Sequence, residues 1–174
     1  MKNIRGFTLL ELLIYISLVS IISVVLGKVF LVINTGRANI SSKTAVDSNL
    51  RFATEKIVQD LRSASAITLP SSAGATSTSL VVTVSGETIT YDVTSLGRLR
   101  RAVNSSTPDY ITDDTVVVNT TTAPLIFTRL ENNNPVFLPA KTGVAVQFSL
   151  NIRYRNISPE SNYSQTKKTT VLMR

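Results

Sequence analysis

The sequence predicts an α+β protein in which one long N-terminal helix packs its outer half against an antiparallel β-sheet. Three features lead to that reading. Apolar residues fill positions 7–33 almost without interruption and then recur at three- and four-residue steps to about Ile67. Pro70 and the Ser71–Ser79 run SSAGATSTS end that pattern. From Leu80 onward, short alternating runs rich in β-branched and aromatic residues lie between Gly, Asn, Thr and Pro clusters.

The first element begins with a short basic stretch, Met1–Gly6 (MKNIRG), carrying Lys2 and Arg5. Phe7–Ile33 comes next, with Glu11 near its start and Lys28 near its end as its charged residues. A secretory signal has an apolar core of about 7–15 residues followed by a small-residue cleavage site. Here the apolar stretch is far longer, and the small residue, Gly6, precedes it. Roughly 20 apolar residues span a bilayer, and Leu12–Ile33 supplies that length with Lys28 as its one charge. Lys2 and Arg5 predict a cytoplasmic N-terminus, with the rest of the chain outside the cytoplasm. An ionised carboxylate in a spanning helix costs roughly 2.5–3.5 kcal/mol, which makes Glu11 a functional candidate. The bland alternative is an uncleaved single-pass anchor in which Glu11 is merely tolerated near the interface.

The segment Arg5-Gly6-Phe7-Thr8-Leu9-Leu10-Glu11-Leu12-Leu13-Ile14 resembles the processing site of prepilins, the precursors of type IV pilins and type II secretion pseudopilins. The resemblance implies that a prepilin peptidase cuts between Gly6 and Phe7 on the cytoplasmic side and methylates the new N-terminus at Phe7. It implies an assembly role for Glu11, which would meet the N-terminal ammonium of a neighbouring subunit; spacing alone also allows pairing within one chain. It further implies other pilins or pseudopilins, an inner-membrane assembly platform and, before assembly, cytoplasmic membrane lipids as partners. The chain then divides into a leader at 1–6, a transmembrane and filament-core helix at 7–33, an amphipathic continuation at 34–69 and a β-rich head at 70–174.

In that continuation Val46, Leu50, Ala53, Ile57, Leu61 and Ala64 form one apolar stripe. Asp47–Arg51, Arg51–Glu55 and Lys56–Asp60 are opposite charges four apart and read as a solvated surface. Gly27 and Gly36 are the expected points of bending or local melting. In the head, Leu80–Val84 and Thr88–Val93 flank Ser85-Gly86-Glu87 as a hairpin, and Arg98–Val103 adds a strand after Gly97. Thr115–Val118, Leu125–Leu130 and Val136–Leu138 are shorter candidates. Val144, Val146, Phe148, Leu150, Ile152 and Tyr154 alternate onto one face of a long strand, and Thr169–Met173 closes the sheet. The order of elements is similar to pilin-like proteins. Asp60–Ala64, Leu99-Arg100-Arg101 and Thr170–Arg174 resemble J-type minor pseudopilins and W-type minor pilins.

Composition narrows the chemistry. The 174 residues contain neither Cys nor His, so disulfides, thiol chemistry and histidine-based catalysis are excluded within this chain. No catalytic residue, cofactor or metal site is expected. Asp113-Asp114, near Asp109, reads as a solvated turn rather than a calcium site. The formal charge is +7. Arg98, Arg100 and Arg101 form the densest basic cluster, and Arg153, Arg155, Lys167 and Lys168 a second, beside Tyr154 and Tyr163. Such clusters could contact DNA phosphates, but alternation sets Arg101 on the face opposite Arg98 and Arg100. The reading that results is a minor pilin or minor pseudopilin. Its rivals are a DNA-binding or adhesive pilin-like protein and a membrane-anchored extracytoplasmic domain that never assembles.

Overall fold

The computed structural model describes residues 8–118, 124–132, 143–156, 158 and 161–173. The leader, the Gly6–Phe7 junction and the candidate strand Val136–Leu138 lie outside the described residues.

Helix α1 runs from Leu9 to Ser63 without a break, about 80 Å at 1.5 Å per residue. Thr8 caps it: its backbone is extended and its side chain accepts the Glu11 N–H at 3.3 Å, satisfying a donor that the first turn leaves without a partner. Both Gly27 and Gly36 are helical, so the expected melting is absent. Burial begins only at Ser42 and tracks the predicted stripe through Val46, Leu50, Ala53, Ile57 and Leu61.

The helix ends earlier than the 34–69 continuation implies. Ala64 is extended, and Ala64–Leu69 forms strand β1. Leu69 precedes Pro70, which disfavours helical geometry, while Ile67 and Thr68 are β-branched and suit a strand. Pairing with β3 (Leu80–Val84) outweighs the helical character of Ala64 and Ala66.

The head holds two antiparallel sheets rather than one. The first is ordered β1-β3-β4-β5-β6, where β4 is Glu87–Val93, β5 is Leu99–Val103 and β6 is Asp109–Tyr110. The β3–β4 hairpin turns through two residues, Ser85 and Gly86, both at positive φ, the geometry of the tight turns whose twist matches the flanking strands. The second sheet is ordered β10-β9-β8-β2, where β10 is Ser164–Leu172, β9 is Gly143–Tyr154, β8 is Ile126–Asn132 and β2 is Thr76–Ser77. Strand β7 (Val116–Val118) pairs with the far end of β9, beyond β8. The short strands β2 and β6 are not expected from the sequence.

The stripe of α1 packs chiefly on β9 and β10, with β3 and β7 also in reach. Val146, Phe148, Leu150 and Ile152 of β9 are buried as their alternation predicts. Phe148 faces Phe127 across the β8–β9 ladder with ring centroids 5.9 Å apart. Each such fully buried apolar side chain stabilises the fold by about 1.5–3 kcal/mol. Arg129 ties the sheets together: its Nη1 donates to the carbonyls of Ile67, Pro70 and Ser71, and its Nε contacts Glu131 at 2.7 Å.

Candidate functional site

The projecting half of α1 is built differently from the half under the head. Its 18-residue window reaches a mean hydropathy of 2.6, and none of that window is buried by the rest of the chain. Leu9, Leu10, Leu12, Leu13 and the aliphatic residues onward to Ile33 are exposed, whereas Glu11 is half-buried. The serine and threonine hydroxyls of this surface are internally satisfied. Ser17, Ser20, Ser23 and Thr35 donate back to carbonyls three or four residues earlier, at 2.8–3.1 Å. A surface of this kind can enter lipid or pack against other apolar helices without stranding a hydroxyl.

Thr8-Leu9-Leu10-Glu11 also has the Thr-x-x-Glu spacing of a helix capping box. The Thr8 half of that exchange is formed. Glu11 thus sits in the first turn, where a carboxylate complements the positive helix end, and its backbone position is held by the cap. Gly6 and Phe7, the expected cleavage and methylation positions, lie outside the described residues.

The three arginines singled out for DNA contact do not form a free patch. Arg98 stacks its guanidinium 3.8 Å from the Tyr110 ring centroid and reaches the Thr112 carbonyl. Arg100 makes a two-pronged contact with Asp92, 2.6 Å at each prong. Arg101 turns to the opposite side and donates to Asp60 Oδ2 at 2.7 Å. Arg98 lies over the Tyr110 ring and Arg100 is the cross-strand partner of Tyr110, while Arg101 is withdrawn toward the core.

Asp60 corrects a second expectation. It does not belong to a solvated Lys56–Asp60 pair; it is 5 % exposed and accepts from both Arg101 and the Tyr91 hydroxyl. Burial, reinforced by the hydrogen bond and charge of Asp60, pushes the Tyr91 hydroxyl far above its ordinary value. Desolvation opposes the charge on Arg101, but the hydrogen bond and charge of Asp60 prevail and raise its pKa. Of the three helix-surface pairs, Arg51–Glu55 is formed, at 2.8 Å between exposed side chains.

Asp113 is likewise more than a solvated turn residue. Its N–H donates to Asn49 Oδ1 at 2.9 Å, and Asn49 Nδ2 donates to its carboxylate at 3.3 Å. These two contacts fasten the segment after β6 to α1. Among the described residues, no group of three or more acidic side chains could hold a metal ion.

Residues 1–27 match the family model described as the prokaryotic N-terminal methylation motif. No curated protein and no solved structure matches the chain. The motif covers the basic start, the candidate cleavage junction, Glu11 and much of the exposed apolar helix. The long helix and the antiparallel sheets beyond it have the order of a pilin-like fold. Motif and helix together support membrane anchoring with an extracytoplasmic domain. In its N-terminal methylation motif and in the order of its elements, this chain is similar to type IV pilin-like proteins.

Proposed function

We propose that the chain is a minor pilin or minor pseudopilin of the J or W kind, a structural subunit without enzymatic activity. Prepilin peptidase would cut it between Gly6 and Phe7 and methylate Phe7, with the N-terminus held in the cytoplasm by Lys2 and Arg5. The mature chain would leave the inner membrane through the assembly platform and join other pilins or pseudopilins in a type IV pilus or type II secretion pseudopilus, in the shaft or the initiating tip complex.

The observation that carries this reading is the projecting apolar half of α1, wholly uncovered by its own head and coincident with the methylation motif over much of its length. In a filament that surface packs against equivalent helices, replacing lipid contacts by protein contacts. Glu11 docks by meeting a positive N-terminus, which offsets the cost of holding either charge in an apolar bundle. The intramolecular partners of Arg98, Arg100 and Arg101 argue against that cluster as a DNA-binding surface.

Fractionation of cells that build such filaments tests the proposal. The processed chain is expected with the filament fraction, and Glu11→Gln is expected to lower that incorporation about tenfold or more while leaving processing intact. A processed, functional chain that stays wholly in the membrane would point instead to a non-assembling anchored domain.

A further inference from the structure

We propose that the outer edge of β10 accepts a strand from a different pilin-like subunit, an extended segment with a carboxylate opposite Lys168 and an apolar residue opposite Leu172. The inference rests on the filament reading above and names a contact between heads within it.

Among the described residues, β10 offers the longest unpaired strand edge. It has nine residues, ends its sheet and contains no proline. The other edges are short or engaged. Strands β2 and β6 have two residues each. Arg129 donates to the Ile67 carbonyl of β1, and the Val118 N–H of β7 goes to the Gly97 carbonyl. The register of β10 against β9 is continuous from Ser164 to Leu172. Two bonds set the phase of that ladder: Tyr154 N–H donates to the Tyr163 carbonyl and Met173 N–H to the Val144 carbonyl, each at 2.9 Å. The odd-numbered residues of β10 therefore turn their backbone groups to β9, and Ser164, Thr166, Lys168, Thr170 and Leu172 turn theirs outward. The same side chains are exposed, on the face opposite buried Val171.

An open edge of this length is a template for another strand, and its side chains select which one. Asn151 and Gln147 of β9 donate to the Thr166 and Thr170 hydroxyls. Lys168 stands between those two threonines, and among the described residues it joins no ion pair. Because β10 contains no Asp or Glu, no register of this strand against a second copy of itself supplies a counter-charge. The register centred on Lys168 sets ammonium against ammonium, which is destabilising. A strand bearing a carboxylate at that position is favoured instead. Toward the other end, Leu130, Ala145 and Leu172 form one cross-strand row that stops at the open edge, with both leucines exposed. An incoming antiparallel strand meets Lys168 and Leu172 with residues four apart. Its recognition pattern is thus a carboxylate and an apolar residue at that spacing.

A defined peptide tests this on the full-length chain in detergent. The probe is a capped strand of Thr and Ser with Glu at its centre and Leu four residues before it. It is expected to bind at least about tenfold more tightly than the same peptide with Lys for Glu, and Lys168→Glu should reverse that order. Lys168 is exposed and unpaired, so this variant keeps the fold, which thermal unfolding checks. Amide exchange at Thr166, Lys168 and Thr170 should slow at least about tenfold on binding, while Lys167 and Thr169, already bonded to β9, change little. Absence of binding, or binding indifferent to peptide charge, overturns the proposal. Tighter binding of SQTKKTTVL, the sequence of β10 itself, overturns it in favour of a second copy. In cells, Lys168→Glu should lower recovery of the processed chain from the filament fraction at least about tenfold; unchanged recovery overturns the edge as an assembly contact. A processed wild-type chain absent from filaments overturns the filament reading, whereas the peptide preference reports on the edge alone.

Discussion

Arg101 and Asp60 meet at 2.7 Å between strand β5 and helix α1, with 16 % and 7 % of their side chains exposed. The contact joins the first sheet to the last turn of the long helix, where the head must stay fixed if pulling on the helix is to move the whole subunit. Tyr91 completes it by donating to the same carboxylate oxygen at 2.7 Å.

Removing one partner of this buried pair is expected to be costly because it leaves the other charged and buried. Arg101→Met should destabilise the full chain in detergent by about 3–5 kcal/mol. Arg100, its neighbour in sequence, pairs with Asp92 where both side chains are about a third exposed; Arg100→Met should cost far less, because water screens the pair. Chemical unfolding of the two variants checks the contrast. Equal losses would mean that Arg101–Asp60 does not lock helix to sheet.

The Tyr91 hydroxyl gives the fold a pH dependence at its alkaline edge. Its pKa is raised in the folded state, by burial first and then by Asp60, whereas the unfolded chain titrates near the ordinary value of about 10. The folded state therefore retains a proton that the unfolded state releases. The associated stability is fully present below about pH 10 and falls as pH rises above it. Unfolding measured from pH 8 to 11 should show this decline, and Tyr91→Phe should flatten it. An unchanged decline in Tyr91→Phe would assign the effect to another group.

Gly97 marks a close approach between the two sheets. It has φ of 73°, and a Cβ there would collide with the Val117 side chain; its carbonyl accepts the Val118 N–H at 2.8 Å. Gly97→Ala combines a strained backbone with overpacking and should cost about 2–4 kcal/mol. Gly86→Ala, also at positive φ but in open space, should cost about 1–3 kcal/mol from backbone strain alone. Thermal unfolding of both variants measures the difference, and a Gly97→Ala protein as stable as Gly86→Ala would rule out a steric contribution from Val117.

Local patterns in the sequence carry the helix, its buried stripe, the β3–β4 hairpin and the alternation of β9, because each depends on neighbours within a few residues. Contacts that depend on distant partners are not legible. Asp60 reads as half of a surface pair with Lys56, four residues away, yet its partners Tyr91 and Arg101 lie far along the chain. Ala64–Leu69 reads as helix on its alanines, and only pairing with β3 makes it a strand. Alternation reveals which residues share a strand face but not which strands become neighbours, so the two sheets read as one. At the N-terminus the spacing of Thr8 to Glu11 is that of a cap, a signal overlaid by the cleavage motif that shares the same residues.

Assembly as proposed requires that the leader be removed first. Intact and N-terminal peptide mass of the membrane-extracted protein, with Gly6→Ala beside it, tests that most directly. The predicted result is a chain beginning at methylated Phe7, and a Gly6→Ala chain that keeps its leader. A chain still beginning at Met1 in cells with an active prepilin peptidase would contradict it, leaving Glu11 as a tolerated membrane charge and the head as an anchored domain.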